Sequence, residues 1–498
     1  MKPPAAAILR GLGLALALVA FAATLLPAHA AGSDTLRLSL PDCVRMALDR
    51  GEEMKQAQED YANARAAYVQ ARSIALPQLN LSTGYTRQIE SVFRQSTDVD
   101  FEPFEPDTLA PLEDRVRAIE DALPTSGLAG LGALFSNTSF GSENTWTATL
   151  SLSQKIFEGA SIWKSIVAAK HAMRAAELLR RDREEETTLW VREAYLNALL
   201  AGRGVQITKL ALAQTESQLQ RVRLRHDAGS ASEFELLQAE VQRDNQIPAV
   251  LQAQSMQEVA VLELARLVNI PAGTPIALTT LLLDDGAVPA EPAGIDTTGL
   301  VALALEASGV TALEEVVHAR EHAVGVAASG KWPSLFAYAD YSRQAFPRDL
   351  FPVADDWQKD VRAGLVLNWS LFDGLRTRGL IQESKARRAQ AEYTLRQTSE
   401  LIGQAVRRSQ WDLHRAAADL HARSRTVQLA RRAHELASLR YEEGASDMIE
   451  VSDVRIALQL AQMNEAQARH DYFLALARLE RYSGKPLLAE AMPIGGNR

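Results

Sequence analysis

One long segment of this chain is written twice. "LRHDAGSASEFELLQA" (224–239) and "LRYEEGASDMIEVSDV" (439–454) share Leu, Arg, Gly and Glu at a constant offset of 215 residues. The same offset runs backwards without a gap. It carries Glu177 onto Glu392, Lys170 onto Lys385, and Leu152, Phe157 and Gly159 onto Leu367, Phe372 and Gly374. A repeat of this length decides the architecture before any local propensity does. Each copy leads into its shared phrase with 69 residues that hold no proline and few glycines, between Gly159 and Gly229 and between Gly374 and Gly444. As helix at 1.5 Å per residue, each span would reach roughly 100 Å. That is too long for a globular helix and calls for a coiled coil or a helical tube. Gly229 and Gly444 stand where a helix is stopped by a left-handed residue. Arg225 and Arg440 lie in the last turn, where the helix dipole favours cations. Ser232 with Glu235, and Asp447 with Glu450, have the spacing of a capping box that restarts a helix. The repeated phrase is therefore predicted to be a hairpin tip.

Upstream of each long helix the pattern changes period. "PQLNLSTGYTR" (77–87) matches "PSLFAYADYSR" (333–343) at an offset of 256, so the first copy carries an insertion of 41 residues. Four segments alternate cleanly. Leu79, Leu81, Thr83 and Tyr85 share one face, as do Trp146, Ala148, Leu150 and Leu152. Leu335, Ala337, Ala339 and Tyr341 follow, then Val361, Ala363, Leu365, Leu367, Trp369 and Leu371; the opposite faces are mostly small or polar. Period-2 alternation between an apolar and a wet side predicts strands. At about ten residues each they have the length of membrane-crossing strands. Trp146, Trp332, Tyr338, Tyr341, Trp369 and Phe372 suit the aromatic girdles of a barrel.

Composition narrows the compartment and the partners. The N-terminus has Lys2 and Arg10 ahead of an apolar run and Ala28-His29-Ala30 behind it. Residues 1–30 are thus expected to be a secretory signal peptide. No later stretch has the roughly 18 uninterrupted apolar residues of a membrane helix. Cys43 is the only cysteine and is expected to be a buried helix residue rather than a lipid attachment point. The net charge of −9 argues against nucleic acid as a partner. Most of that charge sits in residues 89–143, which hold eleven acids and three bases. There "LEDRVRAIEDAL" (112–123) is expected to form a short helix within a loop.

The organisation follows. Repeat 1 spans 31–269, with strands near 77–88 and 144–157 and the insertion 89–143 between them. A Pro-rich connector covers 270–296, repeat 2 covers 297–486 with strands near 333–343 and 360–373, and 487–498 form a tail. Each repeat reads helix, strand, strand, very long helix, returning helix. Four strands cannot close a membrane barrel, which starts at about eight, and open strand edges cannot face lipid. If the strands enter a membrane, several chains must share one barrel. Three chains would supply twelve strands and gather twelve long helical passes into one tube.

In this order and spacing, "LSLPDCVRMALDRG" (38–51), "ARSIALPQLNLSTGYTR" (71–87), "LSLSQKIFEG" (150–159), "LVLNWSLFDG" (365–374), both tips and "ARLERYSGKPL" (477–487) resemble the TolC family of outer-membrane efflux proteins over nearly the whole chain. The resemblance implies a mainly α homotrimer with a shared 12-stranded β-barrel in outer-membrane lipid and a periplasmic α-helical tube. It also implies a passive export duct without cofactor or bond chemistry, served by a periplasmic adaptor protein and an inner-membrane transporter of a tripartite efflux or type I secretion system. By position, Glu450 and Asp453 match the family's acidic pore constriction, and Glu235 and Tyr441 match latch positions. A latch arginine of the family falls on Ser446 here, leaving Arg440 as the cation nearby. Gly229, Ser230, Gly444 and Ala445 match the tips that meet the adaptor. Helix capping alone also accounts for Glu235 and Glu450, and small tip residues also serve simply to turn the chain.

Two other readings compete. The strands would form a small soluble sheet on a periplasmic coiled-coil scaffold without pore activity. Alternatively, "HAREH" (318–322) has an H-x-x-E-H spacing that would put His318 and His322 on one helix face beside Glu321. A third metal ligand would have to come from elsewhere in the chain, so a solvated helix face is the expectation. "GLAGLG" (127–132) lacks the strand–helix frame of a dinucleotide site.

Overall fold

The computed structural model describes residues 35–90, 107–122, 142–280, 296–347 and 349–483. The expected signal peptide and C-terminal tail lie outside these residues, as do most of the acidic insertion and part of the connector. In chain order the elements are β1 (Leu36–Leu38), α1 (Leu40–Arg50), α2 (Glu52–Ser73), β2 (Gln78–Arg87), β3 (Asn144–Glu158), α3 (Ser161–Asp227) and α4 (Glu233–Leu267). They continue with β4 (Ile276–Leu278), α5 (Thr297–Leu305), α6 (Ser308–Ser329), β5 (Ser334–Ala345), β6 (Trp357–Asn368), α7 (Arg376–Glu442) and α8 (Met448–Ser483). Residues 112–122 of the insertion are helical. The two long helices α3 and α7 have 67 residues each, and their ends keep the 215-residue offset of the sequence. The chain divides into two compact units. One comprises the described residues within 1–56, 183–304 and 402–498, and the other the described residues within 57–182 and 305–401.

The second unit contains a four-stranded antiparallel sheet in the order β2-β3-β5-β6. Its register sorts side chains by face. Leu79, Leu152, Ala339 and Ala363 fall in one cross-strand row, and Leu81, Leu150, Tyr341 and Val361 in another. Between them lies the row Asn80, Ser151, Asp340 and Arg362, and beyond them Ser82, Thr149, Ser342 and Asp360. The alternation read strand by strand thus adds up to one apolar and one polar face. The Thr149 and Ser342 hydroxyls are hydrogen-bonded at 3.0 Å on the polar side. A bulge at Lys155/Phe157 interrupts the β3–β5 ladder. Strand β2 is exposed along its whole length, and β2 and β6 are both edges.

The fourth strand differs from its expected span of 360–373. It begins at Trp357 and ends at Asn368, so Trp369, Leu371 and Phe372 lie outside it. The reason is local. Asp373 accepts a hydrogen bond from the Thr377 backbone N–H at 2.8 Å, and Gly374 and Leu375 both take positive φ, +65° and +71°. The chain has left the extended form to start α7. Gly159 and Ala160 do the same ahead of α3, with φ of +54° and +67°.

The first unit is held by a core that draws on both repeats. Leu38, Leu40, Cys43 and Ala47 pack with Val191, Tyr195 and Leu196 of α3, Leu264 of α4, Leu413 and Leu420 of α7, and Tyr472, Phe473, Leu476 and Leu479 of α8. Helix α1 starts at a full capping box, Ser39 with Asp42, followed by Pro41. Pro41 suits a first turn because its missing N–H would have no intrahelical partner there. Burial, with Asp42 adding a smaller push, raises the Cys43 thiol to about 12, consistent with its complete burial.

The connector holds a feature that the sequence reading did not anticipate. Residues 276–278 form β4, which pairs in parallel with β1, Leu36 to Ile276 and Leu38 to Leu278. The Tyr195 hydroxyl, buried beneath, accepts from the Thr280 N–H at 2.9 Å and lies 3.3 Å from the Leu38 carbonyl. One phenol thus fastens this small sheet to α3. Helix α4 also runs through Pro248, which removes one helical hydrogen bond without ending the helix. Its counterpart at the repeat offset is Met463.

Candidate functional site

The two hairpin tips are built alike, atom by atom. At the first, the Gly229 N–H donates to the His226 carbonyl at 2.9 Å and the Ser230 N–H to the Arg225 carbonyl at 2.7 Å. At the second, the Gly444 N–H donates to the Tyr441 carbonyl at 3.1 Å and the Ala445 N–H to the Arg440 carbonyl at 2.7 Å. This is the paired 5→2 and 6→1 pattern of a Schellman stop. It requires a left-handed residue, and Gly229 and Gly444 supply it with φ of +74° and +76°. The last-turn arginines do more than offset the dipole. Arg225 donates to the Ser230 carbonyl at 3.4 Å and Arg440 to the Ala445 carbonyl at 3.3 Å. Ser230 and Ala445 are exposed at the two turns.

The helix restarts are only half of the expected capping boxes. The Glu235 N–H donates to Ser232 Oγ at 3.2 Å, and the Glu450 N–H to Asp447 Oδ1 at 2.9 Å. Neither glutamate folds back onto its cap. Glu450 is taken by Arg440, with Nη1 and Oε1 2.8 Å apart, and by the Ser446 hydroxyl. Glu235 has a shielded carboxylate oxygen, Oε2, without a hydrogen-bond partner among the described residues. Asp453, one turn beyond Glu450, is exposed.

The tips meet through a small apolar cluster. Leu219, Val222, Ala239 and Met448 are buried together, with Ala231, Leu236 and Tyr441 packed against them. Over this cluster Arg225 reaches from one hairpin to the other. Its Nη1 is 2.9 Å from the Tyr441 hydroxyl, and its guanidinium carbon lies 5.3 Å from the Tyr441 ring centroid. Of the expected latch residues, Arg440 therefore joins Glu450 within one hairpin, Tyr441 joins Arg225 across hairpins, and Glu235 bonds to neither. Arg225 was visible in the sequence only as a last-turn cation. Its partner is 216 positions away, and the repeat by itself gives no hint that the two tips touch.

The HAREH segment lies on α6. His171 of α3 comes against it, with ring centroids 5.4 Å from both His318 and His322. The rings stack or tilt face to face rather than converging on a point, and His171 Nδ1 is engaged by Glu315 at 2.5 Å. Among the described residues, no three His, Cys, Asp or Glu side chains are arranged to hold a metal ion. No described helix is long and apolar enough to cross a membrane.

Comparison with known proteins agrees with this architecture. The alkaline protease secretion protein AprF of Pseudomonas aeruginosa is 22% identical over 454 residues, covering 91% of this chain and 85% of AprF. The outer membrane protein TolC of Vibrio cholerae is 22% identical over 347 residues, covering 68% of this chain and 76% of TolC. The crystal structure of the CmeC outer membrane channel of Campylobacter jejuni superimposes with a TM-score of 0.69 at 17% identity, over 89% of this chain and 85% of CmeC. The profile of the outer membrane efflux proteins matches residues 43–269 and 305–485, nearly the whole of both repeats, and the chain belongs to that family.

Proposed function

We propose that this protein is the outer-membrane channel of a tripartite efflux or type I secretion system: a passive, homotrimeric export duct gated at its periplasmic hairpin tips. Family membership supports the location in the outer membrane, with the helices in the periplasm, and the export role. The observation that carries the reading is the sheet. It has an apolar face, a polar face and two edges that no strand among the described residues pairs. Such an object is stable in lipid only if other copies pair with those edges. Three copies would provide twelve strands. That AprF is an alkaline protease secretion protein and CmeC an outer membrane channel fits the same reading, which implies a periplasmic adaptor and an inner-membrane transporter as partners.

In this reading Glu450 and Asp453 line the aperture. Three copies of each carboxylate in a narrow opening would concentrate negative potential and favour cations. Arg440, Tyr441 and Glu235 form the latch region, and Gly229, Ser230, Gly444 and Ala445 present the small-residue tips to the adaptor. The geometry supports a division of labour. Glu450 is paired with Arg440, whereas exposed Asp453 has no ion pair among the described residues. Replacing both Glu450 and Asp453 by Ala is expected to raise single-channel conductance in planar bilayers and lower cation preference. Asp453→Ala alone should lower that preference more than Glu450→Ala. Unchanged conductance and selectivity in the double variant would remove these residues as the constriction.

A further inference from the structure

Between the two hairpins, just behind the tips, lies a cavity of about 600 Å³. It is walled by α3, α4, α7 and α8, and its lining is rich in donors: Arg221, Arg225, His434, Gln218 and Arg455. Arg455 stands out among them. It is only 7% exposed, yet its Nη1 has no hydrogen-bond partner among the described residues. No ion pair reaches its guanidinium among the described residues. Burial alone lowers its pKa, with no carboxylate acting in the opposite direction. A second donor in the same wall, Gln218 Nε2, is also shielded and unpartnered, while the Gln218 carbonyl oxygen is occupied by Arg221. Glu442 is the one acid in the lining.

The repeat sharpens the contrast. At the offset of 215, Arg455 falls on Glu240 of the first hairpin. Glu240 is paired there with Arg223 at 2.7 Å, and Arg223 in turn falls on Ser438. The first copy thus keeps a matched ion pair at this level of the hairpin. The second copy has a lone buried cation facing a cavity. Burying an unpaired charge is costly, and such a group is normally matched by a counter-charge.

We propose that the inter-hairpin cavity is a binding site for a small oxyanion of the phosphate or carboxylate class, with Arg455 as its principal counter-charge and Gln218 as a neutral donor. The bound anion cross-ties the two hairpins a short distance behind the tips. The binding site does not depend on the gating role proposed above.

The test uses the full-length protein extracted in detergent, titrated with inorganic phosphate and separately with citrate, at constant ionic strength set by chloride. The wild type should show a saturable rise in thermal midpoint at millimolar or lower anion. Calorimetric binding should weaken at least tenfold in Arg455→Met and less in Arg455→Lys. Because Arg455→Met removes an unpaired buried charge, its stability in chloride alone should equal or exceed that of the wild type, so loss of response will not be confused with misfolding. A response to phosphate but not citrate, or the reverse, supports the site and identifies its ligand class. An equal response in wild type and Arg455→Met would mark general salt stabilisation and overturn the proposal. So would a wild type without saturable binding, including the case in which Arg455→Met instead loosens the oligomer because the guanidinium meets a carboxylate of a neighbouring copy.

Discussion

Arg225 and Arg440 hold the same last-turn position in the two repeats, but their outer nitrogens serve different partners. Arg225 spends its reach on Tyr441, between hairpins; Arg440 spends its reach on Glu450, within one. The second pair is solvent-accessible, with side chains 56% and 39% exposed. An exposed pair of this kind contributes about 0.2–1 kcal/mol. Because both partners lie in one hairpin, Arg440→Ala is expected to lower stability by no more than that, and a cycle with Glu450→Ala should show coupling of that size in denaturant melts. A much larger coupling would mean that Arg440 makes contacts beyond its own chain. His434 offers a second residue-scale test. Burial and the adjacent Arg455 charge lower its pKa below 6.5, with Glu435 opposing; Arg221, Arg225 and Glu442 share the same cavity. In the folded protein His434 thus binds its proton less readily than in the unfolded chain. Stability should be full above about pH 6.5 and decline as pH falls below it, because the unfolded state then binds more protons. Thermal melts of His434→Gln should show a shallower decline between pH 7 and pH 5 than the wild type. An identical slope would remove His434 as the source.

At the scale of elements, the β1–β4 sheet shows how little apparatus is needed to anchor a connector. Two three-residue strands have almost no stability of their own. The Tyr195 hydroxyl supplies the fixed point, accepting from Thr280 beneath a fully buried ring. Tyr195→Phe keeps the ring's packing and removes only that oxygen. The Leu38 carbonyl keeps the Thr279 N–H, but the half-buried Thr280 N–H loses its partner, so the variant should lose about 1 kcal/mol of stability in denaturant melts. A loss below a few tenths would mean that water replaces the hydroxyl. This sheet also marks where sequence reading stops. The tips were legible because Gly229 and Gly444 are the chain's means of entering a left-handed turn after a proline-free run, and because Arg and Glu recur at fixed distances from them. The strand faces were legible because alternation over ten residues has few other causes. Strand β4, by contrast, is three residues inside a Pro-rich stretch and is specified by a tyrosine more than eighty positions away. Pro248 would by itself have argued against the helix that runs through it. At the site, Arg440 was legible as a repeated last-turn arginine close to Ser446, whereas its pairing with Glu450, the Arg225–Tyr441 contact and the Arg455 cavity depend on side-chain placement and on how the two repeats meet.

At the scale of the molecule, the decisive property is incompleteness. Among the described residues, strands β2 and β6 each leave one side of their backbone unpaired, and the flanking side chains include Leu79, Leu81, Val361, Leu365 and Leu367, all more than 60% exposed. An edge of that kind is a template for pairing with another chain. In a bilayer it has no stable alternative, because water is not there to hydrogen-bond the free groups. In the proposed export duct a single copy therefore cannot be the working unit. Two copies would give eight strands, about the smallest closed membrane barrel, whose lumen side chains nearly fill. Three give twelve and leave room for an aqueous lumen lined by the polar rows Asn80–Ser151–Asp340–Arg362 and Ser82–Thr149–Ser342–Asp360. Light scattering on detergent-extracted protein from a purified outer-membrane fraction, corrected for bound detergent, should return three times the chain mass. A dimer would keep the shared-barrel argument but close off the lumen. A monomer in the soluble periplasmic fraction would show that the edges never meet partners, and the strands would then belong to a scaffold without a pore.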